Sequence, residues 1–98
     1  MKNNLAWILA TCPNAKLRDP QQAVTLAEAE CEKTDWKDQF RLDTVAAAYA
    51  SAGDFSKAVK RQEQAIELSE DAESKKSLSE RLELYRSNQP FIESASDD

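Results

Sequence analysis

The chain has no histidine among its 98 residues. That removes the usual general base at neutral pH, the commonest metal ligand, and any Ser-His or Cys-His nucleophile pair. With one glycine, no glycine-rich loop is available to cradle a phosphate. Two cysteines are too few for a disulfide framework. Cys12 closes the first predicted helix and Cys31 lies far along the second. If those helices are antiparallel, roughly 16 Å of helical rise separates the two, beyond the roughly 7 Å between Cα atoms that a disulfide tolerates. Both are expected as free, buried, small apolar residues in a reduced, cytoplasmic setting. Positive charge is also scarce. Thirteen Lys and Arg against 18 Asp and Glu leave a net charge of −5, without a basic cluster. A nucleic-acid backbone or an anionic membrane would be repelled. The apolar stretch from Leu5 to Ala10 lacks a clear cleavage site and is too short to span a bilayer. It is expected as a core helix, with a weak signal peptide as the alternative.

What is abundant is helix-forming: Ala, Leu, Glu, Lys and Gln. Ninety-eight residues make one domain with a thin two-layer core. The pattern predicts five helices. The first runs from about Asn3 to Cys12 and stops at Pro13. The second opens on Asp19 as N-cap with Pro20 at its first position and Gln22 at its third, and ends near Lys33. The third runs from about Gln39 to Ala52, with Leu42, Val45, Ala46 and Tyr49 as its apolar stripe, and ends at Gly53. The fourth is capped by Asp54. The fifth starts near Asp71 or Ala72, carries Leu78, Leu82 and Tyr85 inward, and is stopped by Asn88 and Pro90. Residues 91–98 read as a frayed acidic tail.

A block recurs 35 residues apart: Asp19-Pro20-Gln21-Gln22-Ala23-Val24 and Asp54-Phe55-Ser56-Lys57-Ala58-Val59. A helical period of about 34 residues marks a stacked helix-pair repeat. Leu42, Val45, Ala46 and Tyr49, then Gly53-Asp54-Phe55, then Ala58, Gln62, Ala65 and Glu70 resemble the tetratricopeptide repeat. Leu42 replaces the pattern's aromatic, Gln62 its large apolar residue and Glu70 its closing proline. A looser copy uses Lys2, Leu5, Ala6 and Leu9, then Ala23 and Ala27, with a longer inner loop and Glu30 where a small residue is expected.

The resemblance implies an all-α, right-handed superhelix of antiparallel helix pairs. The division is a degenerate repeat over 1–34, a repeat over 35–70, a capping helix over 71–88 and the acidic tail over 89–98. It further implies a protein or peptide partner held in a concave groove lined by Asn3, Trp7, Ala10, Thr11, Phe40, Asp43, Ala47, Ala50 and Ser51. Asp43 and Ala47 stand where a clamp for a terminal carboxylate would need a cation and an amide, which speaks against that clamp. No polar cap covers the amino end, and the first helix is apolar nearly all round. Leu5, Leu9 and Cys12 are expected to face the second helix. Trp7, Ile8 and Ala10 then form a candidate homodimer interface. A fragment of a longer repeat array, or a regulatory segment of a larger, bacterial protein, is the other reading of that end. No catalytic residues, cofactor or metal are expected. Glu28, Glu30 and Glu32 spread around their helix as a solvated face. Asp35 and Asp38 are expected as helix caps beside a packed Trp36.

Overall fold

The computed structural model describes residues 2–12, 16 and 18–92, without the side chains of residues 2–4. The chain is all-α. Five helices follow in order: α1 (Lys2–Thr11), α2 (Pro20–Lys33), α3 (Gln39–Ser51), α4 (Phe55–Leu68) and α5 (Ala72–Arg86). No strand occurs among the described residues. Each helix packs on the next, and α1 also packs directly on α3.

Aspartate starts four of the five helices. The side chains of Asp19, Asp38, Asp54 and Asp71 accept from the backbone N–H of Gln22, Phe40, Lys57 and Ser74, at 2.9–3.2 Å. Each satisfies a donor that the first turn would otherwise leave open. Three helices end the same way. At the end of α2, Asp35 N–H bonds Glu32 O and Trp36 N–H bonds Cys31 O; Gly53 and Asp54 repeat this after α3, as do Asn88 and Gln89 after α5. This is the Schellman pairing, which needs a left-handed residue after the last turn. Gly53 supplies φ +90 without a Cβ, while Asp35 and Asn88 adopt φ 54 and 60. Asp35 thus belongs to a helix end, whereas Asp38 is the N-cap expected for it.

The core is built on small side chains. Ala6, Ala10, Ala23, Ala27, Ala46, Ala58 and Ala65 are fully buried. They let helices meet closely, since no side chain projects beyond a methyl. α3 is the central rod: every residue from Leu42 to Ala50 is buried. The polar side chains of that run, Asp43, Thr44 and Tyr49, are hydrogen-bonded within the chain rather than turned to solvent, so α3 is enclosed on every side between Leu42 and Ala50.

Of the three glutamates of α2 expected as a solvated face, Glu32 is exposed and Glu28 half-buried, but Glu30 is not solvated. Glu30 is buried, paired with Lys33 at 2.9 Å and Arg41 at 3.4 Å. Glu28 accepts from Tyr49 Oη at 2.7 Å, and Glu32 accepts from Trp36 Nε1 at 3.1 Å. The reason lies in the neighbours: α2 packs on α3, so carboxylates on several sides of α2 meet donors there or in the following turn. Both cysteines are free; Cys31 is buried and Cys12 is half-buried rather than enclosed. No described helix is long and apolar enough to cross a membrane.

Candidate binding face

Asp43 lies on α3, and its carboxylate is the centre of a polar node. Arg81 of α5 approaches it with two nitrogens, Nε to Oδ1 and a terminal N–H to Oδ2, both at 3.0 Å. That planar two-point pairing is what guanidinium does best with a carboxylate. Gln62 of α4, fully buried, donates through Nε2 to Asp43 Oδ1 at 3.1 Å and to Leu78 O at 2.9 Å. One carboxylate therefore joins α3, α4 and α5. Among the described residues, Gln62 Oε1 and the buried hydroxyl of Tyr85 have no hydrogen-bond partner. Burial, with the Asp43 charge second, pushes the Tyr85 phenol well above its ordinary range.

Above the node lies an aromatic layer. The Arg81 guanidinium sits 5.5 Å from the Trp7 ring centroid and 5.1 Å from that of Phe91. The two rings are 5.7 Å apart and tilted by 41°, within the range of favourable aromatic pairs. Trp7 comes from α1 and Phe91 from the segment after α5, and both pack against the core. The left-handed Asn88 turns that segment off the helix axis, and Pro90 keeps it from resuming a helix. Phe91 and Ile92 are thus packed residues, not part of a frayed tail; residues 93–98 lie outside the described residues.

Two cavities flank this layer. One of about 290 Å³ is bordered by Phe40, Asp43, Asp71, Ser74, Leu78 and Arg81. Another of about 330 Å³ lies among Arg18, Pro20, Ser51, Pro90 and Ile92.

The residues expected to line a groove are divided by this arrangement. Trp7, Phe40 and Ser51 border the face, Phe40 being 67% exposed. Ala10, Ala47 and Ala50 are buried at 0–1% exposure and line nothing open, because α1 packs on that side of α3. Thr11 is buried too, its hydroxyl donating to Trp7 O at 2.7 Å. Asp43 is consumed by Arg81 and Gln62. The Asn3 side chain lies outside those described.

The interface expected around Trp7, Ile8 and Ala10 is corrected likewise. Trp7 packs on Phe91 and Ala10 is in the core, so only Ile8 stays free, 52% exposed, with Leu5 at 44% beside it. Leu5 faces outward because Ala6 and Ala10 make the close contact with the bundle, while Leu9 is partly buried against the same core.

Arg81, Gln62 and Phe91 were not foreseen at this face. Their signal is a coincidence of exceptions: a carboxylate at Asp43 and an amide at Gln62, where the repeat pattern seats an apolar residue. Polar groups at core positions need each other. Among the described residues, no cluster of three or more His, Cys, Asp or Glu is placed to hold a metal. Compared with known protein families, curated proteins and solved structures, the chain matches none.

Proposed function

We propose that the chain is a tetratricopeptide-like scaffold, its helix pairs stacked with a right hand, that binds a peptide or protein segment on the face shared by α1, α3 and α5. The observation that carries this reading is the segment 89–92. That face already seats a non-helical stretch of polypeptide through an aromatic anchor, Phe91, set between Trp7 and Arg81. Buried Ala46, Ala58 and Ala65, at the repeat's small positions, agree with it. The reading includes no catalytic step and no cofactor. Peptides selected from a random library on the intact chain should lose binding to Ser51→Arg at unchanged melting temperature. Selected peptides indifferent to Ser51→Arg, or a library that yields none, would contradict the reading.

Exposed Leu5 and Ile8, adjacent on the outer side of α1, favour a second reading in which two copies pack end to end.

A further inference from the structure

Residues 90–92 are held in an unusual way. Among the described residues, no backbone–backbone hydrogen bond ties them to the helices; the last one is Gln89 N–H to Leu84 O at 2.8 Å. Contact is made by side chains, and Phe91 and Ile92 are only half-buried. The neighbouring cavity of about 330 Å³ is bordered by Pro90 and Ile92 themselves, so the segment fills its seat incompletely. Yet the seat is specific. The Phe91 ring meets Trp7 on one side and the Arg81 guanidinium on another, and Arg81 is held in place by two bonds to Asp43. The receptor side is fixed and the occupant is loosely held.

We infer that residues 89–92 occupy in cis the seat of the face's true ligand, a peptide segment presenting proline, an aromatic ring and an aliphatic side chain in that order. Binding of such a segment in trans requires the chain's own segment to leave. The inference rests on the reading of this face as a docking surface. Arg81 selects an aromatic ring because the ring face attracts a cation, and proline lowers the entropy lost when the segment is ordered. A tether of a few residues gives the resident segment an effective concentration of about 1 mM, so it competes with any free ligand.

The test is calorimetric titration of a synthetic peptide of residues 87–92 into the full chain and into two full-length variants. Phe91→Ala removes the anchor. Asn88→Val opposes the left-handed turn that aims the segment, and leaves Phe91 intact. Circular dichroism establishes that each variant keeps its helices. For a peptide that binds the open face at about 100 μM, a resident competitor at about 1 mM weakens binding to the wild type about tenfold. Both variants should therefore bind the peptide about tenfold more tightly than the wild type does. The same peptide with alanine in place of phenylalanine should bind none of the three. Equal affinity for wild type and variants, no binding to either variant, or equal affinity of the two peptides would overturn the inference. Library peptides that bind and are blocked by Ser51→Arg would, in those cases, leave the docking surface standing without its resident occupant.

Discussion

Asp43 has more riding on it than any other side chain. Its carboxylate takes two bonds from Arg81 and one from buried Gln62. Removing it leaves the Arg81 guanidinium without its acceptor in a largely dry site and takes from the Gln62 amide one of its two acceptors, Leu78 O being the other. Asp43→Ala should cost about 3 kcal/mol, the low end for breaking a buried pair because Arg81 is partly exposed. Thermal or urea unfolding measures it, and a loss within about 0.5 kcal/mol, the usual range of surface substitutions, would contradict the node. Tyr85 is the opposite case: its hydroxyl is buried without a partner among the described residues. Tyr85→Phe should leave the melting temperature unchanged or raise it, since an unsatisfied polar group is removed.

Titration follows the same logic. The Lys33 hydrogen bond holds the Glu30 carboxyl below its ordinary 4.5, and backbone bonding from Ser74 holds Asp71 below 3.8. Native pKa values below those of the unfolded chain mean that the unfolded state binds more protons in acid. The stability these groups contribute is present above their ordinary values and lost as pH falls below them. Burial pushes the Cys31 thiol from 9.0 up to about 12. Its contribution is present below pH 9.0 and is lost as pH rises toward 12. A melting temperature that rises as pH falls below about 4 would contradict the carboxylate assignments, and one that rises as pH climbs past about 9 would contradict that of the thiol.

At the scale of the helix, boundaries follow from local chemistry. Aspartate caps, Pro20, Gly53 and Asn88 punctuate the sequence, and the observed ends lie within a residue or two of those expected. What was not legible was which face of α3 is covered. The spacing of Leu42, Val45, Ala46 and Tyr49 defines one stripe, but Ala47, Ala48 and Ala50 are enclosed as well. Alanine suits a groove lining or a close helix contact equally well, so its identity alone cannot choose. The available signal was that, Asp43 apart, no charged residue falls between Leu42 and Ala50. Ala47→Leu and Ala50→Leu should each destabilise by about 1–3 kcal/mol through overpacking, as should Ala46→Leu. An Ala50→Leu variant that melts like the wild type would mean that the residue faces open space. Gly53→Ala isolates backbone strain, because nothing lies within 4 Å of an added Cβ. At φ +90 it should still cost about 1–2 kcal/mol.

At the scale of the molecule, the helices enclose a small alanine-rich core and leave apolar side chains at the surface, among them Leu5 with Ile8 and those of the face under Phe91. Their origin explains why the sequence located the second poorly. The face is assembled from residues as distant as Trp7, Asp43, Arg81 and Phe91, and no periodicity links them. End-to-end association predicts a dimer at about 100 μM, where a contact worth about −8 kcal/mol would be filled, and a monomeric, folded Ile8→Glu. A monomeric wild type in sedimentation equilibrium would remove that reading. The proposed reading as a binding scaffold without cofactors predicts no shift in melting temperature with zinc, calcium or nucleotides, since any ligand of the folded state must stabilise it.

The proposed binding face depends on the segment after α5 lying against α1 across the Arg81–Asp43 node. The most direct measurement is a nuclear Overhauser spectrum of the intact chain in solution, with the rings of Trp7 and Phe91 assigned. With centroids 5.7 Å apart, cross-peaks between the two rings should be present, and Asn88→Val should weaken them. Phe91 resonances at random-coil positions with no cross-peak to Trp7 would contradict the account.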